Sequence, residues 1–437
     1  MAAECGVLTW LRNRPSTVRN GATRALCLPL SAIAAFGVAR LTLNSLGFRD
    51  FGVATMIVAL PALLPFADLG IGAAVTTAAV NRNRPDELFA VLKTSFRILS
   101  FVAAIITILA LLITLAGAWP ILLGVPAGQF SHLGAVLMFA SVIFAISIPL
   151  SLGQRLLIGL DQYRTVILAQ TCIPFLTIFV LLLTKDVNHF LGWFVLIPLL
   201  SQLVVAALVC SYAVRTIHVR SWALPTETSV SGRGARGLIL SSAGPMTVIT
   251  IGLPVALQSD RLLLSHLGTA GQLSEYALGI LLYAPLLSVL TSAGVALWPR
   301  FALIREGARG RAAYLRSVRY FGLVGAIAAV SLVVAGPRST SFWSGTHAHI
   351  SLLWFAFGAL LLVQTLHMPG GMFLTRPDEL RFQAFLVALM LVINLPLSVF
   401  LISVVGSAGP VLASAVAVAV TQLIPCALRI GRSPAYA

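Results

Sequence analysis

Long apolar segments alternate with short basic segments along the whole chain. Each apolar segment has about 20 residues or more, which is the length that a helix needs to cross a bilayer. Twelve are predicted, near 22–46, 51–79, 97–118, 132–157, 163–184, 189–213, 238–267, 274–298, 318–336, 348–373, 382–404 and 409–429. The pattern therefore predicts an all-α polytopic membrane protein with about 12 transmembrane helices.

Composition supports a membrane protein and excludes several other classes. The 437 residues are 59% hydrophobic and only 10% charged, whereas a soluble domain has about 25% charged residues. A soluble enzyme, a disordered regulator and a disulfide-stapled secreted domain are therefore excluded. The five cysteines are widely separated and form no C-x-x-C pair, which favours small buried side chains over metal ligands or disulfides.

The distribution of positive charge predicts the topology. The net charge is +16, and 24 of the 29 cations fall in cytoplasmic segments if the N-terminus is placed in the cytoplasm. The other five, on the outer side, are Arg40, Arg49, Lys185, Arg261 and Arg338. Because cytoplasmic loops are enriched in Lys and Arg, both termini are expected in the cytoplasm. Contact with anionic headgroups explains the charge without nucleic acid.

An internal repeat divides the chain into two halves. Residues 40–47, RLTLNSLG, end the first predicted span, and residues 261–268, RLLLSHLG, end the seventh in the same register. Six spans per repeat is an even number, so the halves have the same orientation and are expected to form two pseudo-symmetric six-helix lobes. The predicted parts are a cytoplasmic lead (1–21), an N-lobe (22–213), a cytoplasmic loop (214–237), a C-lobe (238–429) and a cytoplasmic tail (430–437).

Two arginines of this repeat are the leading candidates for substrate binding. An arginine within a membrane helix is energetically unfavourable and is a functional candidate by default. At helical spacing, Arg40 shares a face with Asn44, and Arg261 shares one with Gln258 and Ser265. These residues are predicted to line a cavity. The alternative is that both arginines extend to the outer headgroups.

Two acids lie within predicted spans. Asp260 is expected to balance the charge of the arginines or to take part in ion coupling, and a partner on another helix is expected because neighbouring helical residues do not face each other. Asp68 is a second candidate for charge balance or coupling, with a structural hydrogen bond beside two glycines as the alternative. Arg24 and Arg49 flank the first span and are weaker candidates, since interfacial positions suit both.

Several short motifs point to a known family. Phe51-Gly52 begins the second predicted span, and the segment 68–72 (DLGIG) lies further along it. Tyr276 lies near the start of the eighth span, and the segment 296–299 (ALWP) closes it. In these motifs the chain resembles bacterial polysaccharide flippases of the MOP exporter superfamily.

The resemblance implies a two-lobed, MATE-like fold in the bacterial cytoplasmic membrane. Such a transporter flips a polyprenyl-pyrophosphate-linked oligosaccharide from the cytoplasmic to the outer leaflet for cell-surface polysaccharide biosynthesis, by alternating access around a cationic cavity. The resemblance implies no enzymatic activity, catalytic residue, cofactor or metal. Transport is expected to be coupled to a proton or sodium gradient. The expected partners are the lipid-linked oligosaccharide, membrane lipids and glycosyltransferases or a polymerase of the pathway.

Two other classes remain open from the residues. A cation-coupled multidrug or organic-cation antiporter on the same fold needs carboxylates in its cavity, whereas the most suggestive pair here is arginine. An integral membrane enzyme of lipid-linked sugar metabolism needs catalytic acids or a large outer domain. The predicted outer segment 119–131 contains no ionisable side chain, which favours transport.

Overall fold

The computed structural model is helical in every regular element that it describes. It describes residues 16–63, 71–80, 85–126, 132–184, 191–219, 259–295, 307–344 and 351–432, with five single residues between 252 and 304. The helices are α1 (Ser16–Leu46), α2 (Phe48–Leu63), α3 (Ile71–Val80), α4 (Pro85–Leu115), α5 (Trp119–Leu123), α6 (Leu133–Gly159), α7 (Tyr163–Leu183), α8 (Leu191–Val219), α9 (259–267), α10 (Ala270–Val295), α11 (Gly307–Ser344), α12 (Leu352–Phe373), α13 (Pro377–Val405), α14 (Ala408–Val418) and α15 (Ile424–Arg432), the last two joined by a π-helical turn, Ala419–Leu423.

Ten candidate membrane spans are present in the described part of the chain. They correspond to ten of the twelve predicted spans. The other two predicted spans are described only in part. Residues 64–70 of the second and most of the seventh before residue 259 fall outside the described residues. The chain is therefore a multi-pass α-helical membrane protein.

The long helices present apolar side chains outward, as helices in lipid do. On α11, the exposed side chains of Leu323, Ile327, Val330 and Val334 follow one another at spacings of three or four residues. This spacing forms a continuous apolar stripe along one helix face. In water such a stripe would drive aggregation, whereas acyl chains solvate it.

The chain divides into two compact units that differ in part from the predicted lobes. The first unit contains residues 1–39, 66–119 and 131–244, and the second contains residues 40–65, 120–130 and 245–437. Residues 40–65 and 120–130, which belong to the predicted N-lobe, group with the second unit. The pseudo-symmetry of the two lobes stays a prediction.

Close helix packing through glycine defines the interior of the first unit. Helices α3, α4, α6 and α8 surround its apolar core. A Cβ added at Gly153 would lie 2.4 Å from the Cα of Cys210, and one at Gly159 would lie 2.5 Å from the Cβ of Ala79. Small residues at these crossings therefore let α6 approach α8 and α3 closely, as is common between membrane helices.

The second unit is built on α12, which packs against α10, α11 and α14. Phe357 on α12 is fully buried, and its ring lies 5.7 Å from that of Tyr276 and 5.3 Å from that of Tyr283, centroid to centroid. A Cβ at Gly279 would lie 2.3 Å from the Phe357 ring, so α10 meets this ring at a glycine. These tilted aromatic contacts fix α10 against α12.

Candidate functional site

A cavity lies in the second unit where the two repeated segments end. Its volume is about 960 Å³, and residues from 46–53, 124–126 and 265–273 line it. We call it the helix-end pocket. Gly47 has a φ of +80°, a conformation that favours glycine, and it lets the chain turn from α1 directly into α2. The Leu-Gly turn of the first repeat therefore forms part of the pocket wall.

The second repeat also lines the pocket, and a capping box directly after it begins α10. The backbone N–H of Thr269 donates to Oε1 of Gln272 at 2.9 Å, and the N–H of Gln272 donates to Oγ1 of Thr269 at 3.2 Å. This reciprocal pair satisfies two N–H groups at the helix start. The first turn of α10 is thereby fixed beside the pocket.

Helices α2 and α10 are locked together just inside the pocket. The N–H of Gly52 donates to Oγ of Ser274 at 3.0 Å, and the same hydroxyl donates to the carbonyl of Phe48. A Cβ at Gly52 would lie 2.6 Å from that Oγ. The neighbouring motif residues Phe51 and Tyr276 are both fully buried. The Phe51-Gly52 and Tyr276 motifs therefore form one helix crossing.

An acid and an arginine lie next to each other on α9, behind this crossing. Asp260 is only 2% exposed, and its Oδ2 accepts a 3.4 Å hydrogen bond from the Tyr276 hydroxyl. Arg261 is half-buried and donates from Nη1 to the carbonyl of Thr55 on α2 at 3.1 Å. Among the described residues, neither Oδ1 of Asp260 nor Nε of Arg261 has a hydrogen-bond partner, although both atoms are buried. One acceptor and one donor thus remain available.

Further buried polar side chains lie near Asp260 between the helices. The Tyr283 hydroxyl donates to Oε1 of Gln364 at 2.8 Å, and the Ser414 hydroxyl donates to Oδ1 of Asn394 at 3.3 Å. Ser414 is also a neighbour of the Asp260 carboxyl group. Buried polar groups in a membrane interior favour partners within the protein. The acid is therefore surrounded by buried polar side chains.

The other predicted site residues lie in different surroundings. Arg40 is exposed and its guanidinium carbon stands 5.9 Å from the centre of the Phe342 ring, while Asn44 is also exposed. Ser265 and Arg49 both line the helix-end pocket, and Arg49 is exposed. The two repeat arginines thus have unequal environments, and the cavity role of Arg40 stays a prediction.

Three further predicted residues lie elsewhere or outside the described part. Arg24, in the first unit, donates from Nη1 to the Tyr163 hydroxyl at 3.1 Å and is half-buried. Its position joins α1 to α7 and does not contribute to the helix-end pocket. Gln258 and Asp68 fall outside the described residues.

Two residues near the site are not among the sequence predictions. Tyr276 belongs to a recognised motif but was assigned no role, and only the fold shows that its hydroxyl bonds Asp260. His266 contacts the carbonyl of Ile121 on α5, as described below. The signal for His266 is present in the repeat, because an ionisable residue stands there where the first segment has Ser45.

Comparison with solved structures places the fold among known transporters. An inward-facing MATE-family multidrug resistance transporter of the MOP superfamily matches with a TM-score of 0.64 at 15% identity, covering 94% of this chain and 98% of that chain. A MOP superfamily transporter from Pyrococcus furiosus with a binding pocket of reverse polarity matches with a TM-score of 0.62 at 14% identity, with coverages of 96% and 97%. A MATE transporter from Vibrio cholerae gives 0.59 at 11% identity, with coverages of 97% and 100%.

The described helices therefore have the fold of multi-pass transporters of the MOP superfamily. The sequence profile described as "Polysaccharide biosynthesis protein" matches residues 18–305, about two thirds of the chain. The chain belongs to this family, which confirms the resemblance drawn from its motifs. No curated protein sequence matches the chain.

Proposed function

We propose that this transporter flips a polyprenyl-pyrophosphate-linked oligosaccharide from the cytoplasmic to the outer leaflet of a bacterial cytoplasmic membrane. The family is described by polysaccharide biosynthesis, and the fold is that of transporters. A substrate that joins these two facts is a polysaccharide precursor carried across the membrane on a lipid. Both termini are proposed to be cytoplasmic, and transport is proposed to proceed by alternating access.

The observation that carries the proposal is the free donor of Arg261. The guanidinium group is held by a single backbone carbonyl, Thr55, and its buried Nε has no partner among the described residues. A cation in this state stabilises an incoming anion, and a guanidinium group matches two phosphate oxygens at once. A pyrophosphate linkage presents such oxygens, whereas a neutral glycan or a cationic drug does not.

Asp260 is proposed to couple transport to an ion gradient. Its buried Oδ1 has no partner among the described residues, so it can take up a proton or a sodium ion. Its negative charge also weakens the binding of an anion at Arg261, because opposite charges in a low dielectric interact strongly. Release of the pyrophosphate after translocation therefore becomes easier. The further proposed partners are lipids and the glycosyltransferases or polymerase that make and use the precursor.

The test is export by Arg261 variants in a strain that lacks the native gene. Arg261→Ala is expected to lower surface polysaccharide about tenfold or more and to leave lipid-linked oligosaccharide in the cytoplasmic leaflet. Arg261→Lys should restore only part of the export, since an ammonium group cannot bind two oxygens in one plane. The matched control is Arg338→Ala, because Arg338 is exposed and donates to the Val334 carbonyl of its own helix.

Protein abundance in the membrane is measured for each variant. Export by Arg261→Ala at the parent rate, with normal abundance, would contradict the proposal.

A second candidate function is efflux of an organic cation, which the free carboxylate oxygen of Asp260 favours. The same variants separate the two functions. In a cation antiporter, Asp260→Asn abolishes resistance to cationic drugs and Arg261→Ala preserves it. In an oligosaccharide flippase, drug resistance does not depend on either residue.

A further inference from the structure

The loop after α4 is docked on the end of α9 through a histidine. The Nδ1 atom of His266 lies 2.8 Å from the carbonyl oxygen of Leu262, and its Nε2 atom lies 3.0 Å from the carbonyl oxygen of Ile121. Leu262 belongs to the same helix as His266, whereas Ile121 belongs to α5. The imidazole ring therefore bridges α9 and the 119–126 loop, which we define as α5 and the three residues after it.

Each ring nitrogen lies within hydrogen-bond distance of a backbone carbonyl, which only accepts hydrogen bonds. A neutral imidazole carries one N–H, so it can satisfy one of the two carbonyls and directs a lone pair at the other. The Ser265 hydroxyl lies 3.3 Å from Nδ1, but it donates to the Leu262 carbonyl at 2.8 Å. Both carbonyls receive a hydrogen bond only when both ring nitrogens carry a proton.

The docked loop forms one wall of the helix-end pocket. Gly124 has a φ of +64°, and a Cβ at this position would lie 2.6 Å from the Ser265 carbonyl oxygen and 2.9 Å from the Cα of His266. Loop and helix thus touch at the backbone. Leu123 and Val125 are buried and anchor the end of the loop through apolar contacts, whereas the side chain of Ile121 is 78% exposed and adds no such support.

We propose that His266 is a pH-sensitive latch that holds the 119–126 loop against α9 and so keeps the wall of the helix-end pocket closed at acidic pH. The inference rests on the proposed function in one respect: the latch controls release of the oligosaccharide on the outer side. As pH rises, the ring loses a proton and one of its two carbonyl bonds, so the loop loosens.

The surrounding charges leave His266 as the group that responds. The 119–126 loop carries no ionisable side chain. Arg49 and Asp50 on α2 line the same pocket, and Asp260 and Arg261 lie more than one turn away on α9. Glu275 on α10 accepts a hydrogen bond from the Ser407 hydroxyl at 3.0 Å. Histidine is the residue that ordinarily changes charge between about pH 5 and pH 8.

The test is the mobility of a spin label on the loop in the full-length protein in lipid vesicles. Ile121→Cys, in a chain whose five native cysteines are replaced, places the label on an exposed side chain. Continuous-wave spectra are recorded between about pH 5 and pH 8. The mobile fraction is expected to rise at least about threefold across this interval. A label at Leu115→Cys, which is exposed on α4, should show no pH dependence.

Two His266 variants make the result decisive. His266→Gln retains an N–H for the Ile121 carbonyl at every pH, so the label should keep one mobility throughout. His266→Phe has no donor, so the label should be mobile even at acidic pH. A pH step that persists in His266→Gln, or its absence in the parent, would overturn the latch. The spectra need no substrate, so they stay independent of the Arg261 export assay.

Discussion

Asp260 and Arg261 have opposite charges and adjacent positions, yet each retains an unpartnered buried atom among the described residues. The reason is helical geometry, because consecutive side chains diverge by about 100° and do not face each other. Asp260 accepts a hydrogen bond from the Tyr276 hydroxyl on α10, whereas Arg261 donates one to the Thr55 carbonyl on α2. Adjacent residues can therefore serve two different ligands, one cationic and one anionic.

Neutralising the acid should separate ion coupling from substrate binding. Asp260→Asn keeps the size of the side chain and the bond to Tyr276 but cannot change protonation or attract a cation. Gradient-driven transport in proteoliposomes is expected to fall about tenfold, while exchange of substrate without a gradient continues. The control is Glu275→Gln, an exposed acid on α10. Undiminished gradient dependence in Asp260→Asn would show that coupling lies elsewhere.

The residues of this site could be predicted only in part. Arg40 and Arg261 occupy equivalent positions in the repeat, yet one is exposed and the other half-buried. Their local sequences are nearly the same, so the difference comes from the helices that pack against them. The contact between His266 and the Ile121 carbonyl joins residues 145 positions apart, and no local pattern reports it.

At the scale of elements, the crossing of α2 and α10 is the most sensitive contact that a single methyl group can probe. Gly52→Ala should destabilise the protein by about 1–3 kcal/mol, because the added Cβ meets both Oγ and backbone N of Ser274 at 2.6 and 2.8 Å. Thermal unfolding in detergent measures the loss as a lower Tm. Gly431→Ala is the control, since a Cβ there has no neighbour within 4 Å. Equal Tm values for the two variants would show that the crossing can relax.

The predicted spans located the apolar parts of helices but not their ends. The span predicted at 318–336 lies inside α11, which runs from Gly307 to Ser344. Its first turns are rich in Ala and Arg, which favour helix but lack the apolar signal that marks a membrane segment. Helix α4 likewise begins at Pro85, well before the predicted 97, because proline suits the first helical position. Hydropathy therefore located the long described helices better than it predicted their ends.

At the scale of the whole molecule, the cation distribution makes a direct prediction of topology. Val230→Cys, in the loop predicted to be cytoplasmic, should react with a membrane-impermeant maleimide only after the cells are opened. Ile121→Cys, predicted to lie on the outer side, should react in intact cells. Because Arg and Lys are retained on the cytoplasmic side, reversal of both results would require the opposite orientation. Labelling of both positions in intact cells would contradict the number of spans between them.

The outward apolar stripes, such as the one on α11, also affect how much the sequences of related membrane proteins can diverge. A side chain that meets acyl chains needs to be apolar, but a fluid neighbour imposes no particular shape on it. Leucine, isoleucine, valine and phenylalanine are then interchangeable over much of each helix, and substitutions accumulate there without disturbing the fold. This accounts for a chain that follows the path of a transporter with a TM-score of 0.64 while sharing 15% of its residues. We therefore expect relatives of this chain to agree most at its glycine crossings and buried polar groups, and to differ most along the faces that touch lipid.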